Sequence, residues 1–284
     1  PRVTAPEDIA AAAQLACLLE ASAPKPGNVS PGLHFHDTRY EDFLASAVAI
    51  GPALGAAGSR PLGATVRAAV EATARWTRAN TNLGIVLLLA PLARAAARSG
   101  GDLRARLARV LDETTVADAS DVYAAIRLAR PGGLGHAAVE DVAEPPTVTL
   151  REAMGLAAER DAVAREYVTD YVMTFEIGVP AMRQARADGL PWTDATVETY
   201  LRLLAVQPDT HIARKLGPDA AAKVSRRAEE VVAVGGVRSV AGREAIAAFD
   251  RELRDAANSR NPGTTADLTC AAIFVIIIEG TFEG

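Results

Sequence analysis

Long apolar runs are missing from this 284-residue chain. The two longest, Gly84 to Ala97 (interrupted by Pro91 and Arg94) and Leu268 to Ile278, fall short of the roughly 20 residues that a membrane-crossing helix needs. A basic, then apolar, signal pattern at the start is also lacking. The chain is therefore expected to be soluble and cytoplasmic. There is no basic stripe and no pair of RNA-stacking aromatics, and the net charge is −5 with acids and bases interleaved, which argues against nucleic-acid binding. Cysteine is scarce. Cys17 and Cys270 both sit in apolar helical stretches, so they read as buried free thiols of a reducing compartment. No nucleophile elbow, P-loop, dinucleotide-binding glycine motif or HExxH occurs, leaving Ser/His/Asp hydrolysis without specific support.

What is abundant is Ala, Leu, Arg and Glu, all good helix formers, while strand-type alternation is rare. Patterning predicts helices at about 6–22, 39–58, 62–79, 83–98, 102–112, 115–129, 149–160, 161–175, 178–187, 194–207, 218–234, 240–257 and 266–279. Three capping-box spacings mark starts: Thr4 with Glu7, Thr38 with Glu41, and Thr149 with Glu152. The helix at 83–98 is apolar nearly all round, as is the last one, which places both in the interior. The expected fold is all-α, a single domain over 1–284 built as a bundle of about a dozen helices around a buried central one. The irregular stretch from Ala129 to Val148 reads as a loop over a site rather than as a linker.

Four polar interruptions carry the candidate chemistry. The first holds Lys25, Gly27 and Asn28 in a stretch stiffened by Pro24, Pro26 and Pro31, with His34, His36 and Asp37 following. A fixed ammonium beside open backbone suits phosphate, and an ordinary interhelical turn is the alternative. The histidine spacing fits no standard zinc arrangement. The second, Asn80 to Gly84, precedes the buried central helix, where Asn82 and Gly84 can cap the helix, bind an anion, or both. The third runs from Gln207 to Gly217 and packs Asp209, Thr210, His211, Arg214 and Lys215 together, a set suited to Mg²⁺ with polyphosphate. The fourth, Asn258 to Asp267, contains Asn261, Gly263 and Thr264, and sets Asp267 in the first turn of the last helix.

Taken in order, these blocks resemble the triphosphoribosyl-dephospho-CoA synthase family, from Leu18-Leu19-Glu20 to the last helix. The family's Lys-Pro-Gly is matched by Lys25-Pro26-Gly27, and its acid-led segment by Asp37 with Glu41-Asp42-Phe43 and Ser46-Ala47. Its Gly-Asp-Thr-Asn is matched by Pro208-Asp209-Thr210-His211. Its Ser-Pro-Gly-Gly-Ser-Ala-Asp-Leu is matched by Asn261 to Leu268, and its Gly-Gly turn by Gly235-Gly236-Val237-Arg238. The chain departs from it at Thr81-Asn82-Leu83-Gly84, where the family has Thr-His-Lys-Gly.

The resemblance implies a transferase that moves a triphosphoribosyl group from ATP, its substrate, to dephospho-CoA with loss of adenine. Lys25, Arg214, Lys215 and the amides around Asn82 and Gly263 would then meet phosphate, Asp209 and Asp267 would hold Mg²⁺, and Asp37 would be a base or ribose contact, with His211 beside it in the catalytic group. The missing His-Lys pair keeps open a related ribosyl or phosphoribosyl transferase with another acceptor, for example in the biosynthesis of a one-carbon carrier such as tetrahydromethanopterin. A hydrolase that releases adenine and a non-catalytic nucleotide-binding protein also stay open. Partners are expected to be small nucleotides, with no nucleic acid or membrane; assembly into a homo-oligomer is undecided by the sequence.

Overall fold

Helix formers organise the chain into fourteen α-helices, seen in a computed structural model that describes residues 3–133, 135, 137 and 139–280. In order they are α1 (Pro6–Ser22), α2 (Tyr40–Gly55), α3 (Leu62–Thr73), α4 (Leu83–Ala96), α5 (Leu103–Asp112), α6 (Val116–Ala129) and α7 (Leu150–Ala157). Then follow α8 (Ala162–Val168), α9 (Val179–Ala187), α10 (Trp192–Val206), α11 (Thr210–Leu216), α12 (Pro218–Ala233), α13 (Val240–Leu253) and α14 (Gly263–Ile278). Among the described residues there is no sheet, only an isolated antiparallel bridge between Ser30 and Leu33. The all-α expectation holds. No described helix is long and apolar enough to cross a membrane.

α4 and α14 run through the interior, packed on each other and, with α1, forming the main core. From Leu268 to Ile276 every residue of α14 is buried, which fits its apolar circumference. A second apolar cluster, including Tyr200, Leu201, Ile212, Val224 and Phe249, joins α10, α11, α12 and α13. Cys17 on α1 and Cys270 on α14 meet in the main core as free thiols, Sγ to Sγ 3.7 Å.

Two helices carry an interior proline, and each break is repaired the same way. Proline has no N–H, so the carbonyl four residues earlier loses its donor. For Pro91 that carbonyl is Leu87, and the Tyr167 hydroxyl donates to it at 2.7 Å while Tyr171 donates to Leu88 at 3.1 Å. For Pro52 it is Val48, which receives the Gln14 side-chain amide at 2.8 Å. Gly51 makes room for that amide, because a Cβ there would stand 2.4 Å from Gln14 Nε2. Tyr167→Phe removes the donor from a fully buried carbonyl and is expected to cost about 1–3 kcal/mol. Urea unfolding checks this; an unchanged midpoint would mean that the carbonyl finds another partner.

Several boundaries differ from the sequence pattern. The helix expected over 62–79 stops at Thr73. The one expected over 161–175 breaks after Val168, where Asp170 and Tyr171 take left-handed φ of 50° and 60°. There the buried Glu166 carboxylate accepts from the amides of Met173 and Thr174 and from the Thr174 hydroxyl, and a π-helical turn follows over Thr174–Gly178. α11 was not expected as a helix at all, and α13 ends at Leu253, short of 257. Only Thr149 with Glu152 forms the expected capping box. α1 is preceded by Ala5, so Thr4 lies one residue too early, and Asp42 rather than Glu41 accepts from the amide before α2.

Candidate active site

The N-terminal ends of four helices, α4, α8, α11 and α14, converge on one cavity of about 670 Å³. The first amides of α8 and α11 are taken by the Asp161 and Asp209 carboxylates, so the positive ends open to an anion are those of α4 and α14. Gly84 represents α4 there, Asp161 and Val163 the start of α8, His211 α11, and Gly263 with Thr264 α14. Its lining also includes apolar side chains, Val122 and Ile126 of α6 and Leu150 and Met154 of α7. His36, Asp37, Arg130, Lys215 and Asn258 also border it. Part of the irregular stretch, Pro131 to Gly133 with Val139, Glu140 and Val142, lines the cavity as well. Leu134, His136 and Ala138 of that stretch lie outside the described residues.

Three buried polar atoms of residues bordering this space have no hydrogen-bond partner among the described residues: His211 Nε2, Arg214 Nε and Asn261 Oδ1. Such atoms are rare in folded chains unless something else binds them. Arg214 is aimed by Asp161, whose Oδ2 accepts from Nη1 at 2.8 Å while Oδ1 caps α8 through the amides of Val163 and Ala164. His211 packs on Gly263, where a Cβ would stand 3.0 Å from Nδ1. Burial, then the nearby charges of Lys215 and Arg214, push its imidazole down to about 3, so it is neutral at physiological pH. Burial likewise lowers the Lys215 ammonium, which is half-exposed and makes only a 3.5 Å approach to the Asn258 carbonyl.

The His211 shift has a pH signature. The unfolded imidazole takes up a proton near 6.5, and the folded one only near 3. Between these values the unfolded state binds more protons, so this residue's contribution to stability falls as the pH drops from 6.5 toward 3. The buried carboxyls of Glu166, Asp209 and Asp267, all shifted upward, act in the opposite sense. The expected result is therefore a difference: His211→Gln loses less stability than the parent between pH 6.5 and 4.5, by up to about 1 kcal/mol per pH unit. Parallel unfolding curves for the two proteins would contradict a buried neutral imidazole.

Asp267 borders the cavity with no side-chain hydrogen bond among the described residues and lies against Gly84, where a Cβ would stand 2.1 Å from Oδ2. Burial raises its carboxyl well above the usual range, with added repulsion from Glu20, Asp209 and Asp161 that Arg214 only partly offsets. Since α14 begins at Gly263, Asp267 sits in the second turn, not the first.

Other expected site residues turn out to act inside the protein. The Lys25 ammonium is buried, ion-paired with Glu20 Oε1 at 2.9 Å and bonded to the carbonyls of Glu20 and Ala23, and it does not border the cavity. Gly27, at φ 76°, gives its amide to Asp250 and packs against Leu253 and Pro262. Asp209 is fully engaged: Oδ1 accepts the amides of His211 and Ile212, and Oδ2 accepts the amide and hydroxyl of Thr265. It caps α11 and ties it to α14. Both its oxygens are thus engaged within the protein, and no group of three or more candidate metal ligands exists among the described residues.

Asn28 and Asn82 do border the cavity. Asn28 is fixed by the Tyr200 hydroxyl and Asn82 by Thr73, while Asn80 rather than Asn82 accepts from the Leu83 amide. Asp37 is mostly exposed, and the Thr264 hydroxyl meets that of Thr210. His34 accepts the Tyr40 amide at the start of α2.

Two residues outside the set singled out in the sequence also border the cavity, Glu20 and Asp161. Glu20 carried a signal: an acid in the last turn of a helix opposes the dipole and needs a reason to be there. Asp161 is the first residue of the helix expected over 161–175 and proves to be the N-cap of α8.

The profile of the ATP:dephospho-CoA triphosphoribosyl transferase family matches residues 6–283. The chain belongs to this family. Among similar proteins, one from Pseudomonas putida, provisionally named 2-(5''-triphosphoribosyl)-3'-dephosphocoenzyme-A synthase, is 33% identical over 98 residues, 34% of each chain. The Klebsiella pneumoniae protein of that name, without the qualifier, is 29% identical over 104 residues, 37% of this chain and 36% of its own. The matched stretch thus spans about a third of the length of these curated relatives. A crystal structure from Archaeoglobus fulgidus, provisionally assigned as a triphosphoribosyl-dephospho-CoA synthase, superposes with a TM-score of 0.65 at 29% identity. It covers 84% of this chain and 99% of the other.

Proposed function

We propose that the chain transfers the triphosphoribosyl group of ATP to a hydroxyl of dephospho-CoA and releases adenine, in the cytoplasm. The observation that carries this is the set of unpartnered atoms on His211, Arg214 and Asn261, gathered where four helix N-termini meet. Amides and a guanidinium suit a triphosphate, and the apolar side chains of α6 and α7 suit a flat base or the acceptor's adenosine. Arg214 and Lys215 would neutralise the phosphates, with the amides at Gly84 and Gly263 behind them, while Asn28, Asn82 and Thr264 contact the ribose. His211 would donate or accept one hydrogen bond as a neutral imidazole, and Asp37 would meet the incoming acceptor. Mg²⁺ would arrive on the triphosphate rather than on a protein carboxylate cluster.

One feature favours a second reading. Where the family pattern has His-Lys, the first turn of α4 presents Asn82 and a buried Leu83, which leaves this edge of the cavity without a cation. A related acceptor such as a tetrahydromethanopterin precursor would fit that change. The test is free adenine, measured chromatographically from Mg-ATP with each acceptor. Adenine that forms only with dephospho-CoA supports the first reading. Adenine only with the pterin, or with no acceptor at all, replaces it.

A further inference from the structure

The cavity contains two carboxyl groups in opposite circumstances. Glu20, at the end of α1, is held by the Lys25 ammonium through Oε1, and its Oε2 has no partner among the described residues. Asp267, on α14, has neither a cation within hydrogen-bond reach nor a donor among the described residues, and rests on the bare backbone of Gly84. Around it stand Glu20 from α1, Asp209 before α11, Asp161 before α8 and the single opposing charge of Arg214 from α11. Two neighbouring carboxyls that differ in this way divide into a base and an acid.

Breaking an N-glycosidic bond to adenine needs both. The purine is a poor leaving group unless a ring nitrogen is protonated as it departs, and the attacking hydroxyl must lose a proton. We propose that Asp267 is the acid that protonates the departing adenine and that Glu20, held by Lys25, is the base that takes the acceptor's hydroxyl proton. This assignment rests on the transferase reading above. In the step, the C1′–N9 bond breaks and its electron pair goes to N9. The Asp267 proton moves to a purine ring nitrogen. A lone pair of the acceptor hydroxyl forms the new bond to C1′, and its proton passes to Glu20. The net change is one proton carried from the hydroxyl to adenine, and solvent exchange resets both carboxyls. Lys25 is a positioning residue in this scheme, and the Glu20 carboxylate also faces the positive charge that develops on the ribose.

Two experiments test the assignment. Infrared difference spectroscopy of the substrate-free protein at neutral pH is expected to show a protonated-carboxyl band that Asp267→Asn removes and Glu20→Gln keeps. Asp267→Ala serves the same comparison should the amide variant not fold. A band absent from the parent, or one lost with Glu20, overturns the assignment whatever the activity. The second experiment compares leaving groups. Asp267→Asn is expected to slow adenine release from ATP by about 10²–10⁴-fold. It should slow release of p-nitrophenolate from p-nitrophenyl riboside 5′-triphosphate, which leaves without a proton, by less than about tenfold. Glu20→Gln should slow both. Equal losses with the two substrates in Asp267→Asn would overturn the acid role. Failure of the parent protein to release adenine with dephospho-CoA would instead count against the transferase reading, while the infrared result would still stand on its own.

Discussion

Lys25→Met is expected to lower the free energy of unfolding by about 3–5 kcal/mol, the usual result of removing one member of a buried ion pair. The methionine fits the space but leaves the Glu20 carboxylate without its counter-charge. Both side chains are almost wholly inaccessible, 1% for Lys25 and 5% for Glu20, so the little water that reaches Glu20 is a poor substitute for the ammonium. The ammonium also serves the carbonyls of Glu20 and Ala23, which lie at the end of α1 where the helix has no further amides to offer. Adding Glu20→Gln to the lysine variant should return a good part of the loss, because an uncharged amide tolerates the apolar neighbour better than a bare carboxylate does. Urea unfolding of the two single variants and the double one gives the coupling. Additive effects would show that the two groups do not depend on each other.

Gly84→Ala separates activity from stability. In a helix, alanine is intrinsically better than glycine by about 0.8–1.0 kcal/mol, so the helix itself should not suffer. The new methyl would, however, overlap the Asp267 carboxyl, with Cγ at 2.7 Å and Oδ2 closer still. Asp267 must rotate or shift, and a displacement of about 1 Å at a reacting group costs about 10²-fold in rate. The expected outcome is a melting temperature within a few degrees of the parent and adenine release reduced by about two orders of magnitude. Full activity in the alanine variant would mean that the place held by Asp267 is unimportant to turnover.

Much of the architecture was legible in the residue pattern because helix formers and apolar circumference are local properties. α1, α4 and α14 needed only composition to be placed, two of them in the interior. What was not legible depended on pairing across the chain. The end of an expected helix at Val168 is set by Glu166 capturing the amides of Met173 and Thr174, which no periodicity announces. α11 has only seven residues, too few for an apolar period to show, and its start is fixed by the Asp209 cap.

Of the residues singled out in the sequence, Asn28, Asp37, Asn82, Gly84, His211, Arg214, Lys215, Asn261, Gly263, Thr264 and Asp267 border one cavity. The roles of Lys25 and Asp209 were the difficult ones. Both are polar residues in loops, where function is the natural expectation, yet their partners come from within the chain. Partner identity depends on distance, and sequence separation conceals it.

The meeting of α1 with α14 sets an order on biosynthesis. Cys17 and Cys270 touch across 253 positions, so the surface that α14 will cover is finished long before α14 exists. At about 5–20 residues per second, a ribosome leaves the inner face of α1 and the apolar flank of α4 without this partner for roughly 10–50 s. During that interval core residues such as Ala13, Cys17 and Val86 lack the helix that buries them in the finished fold. Chaperones that bind apolar segments would find their target there, and docking of α14 would displace them. The same event brings Asp267 into the cavity beside Glu20, so release from chaperones and completion of the catalytic centre would coincide.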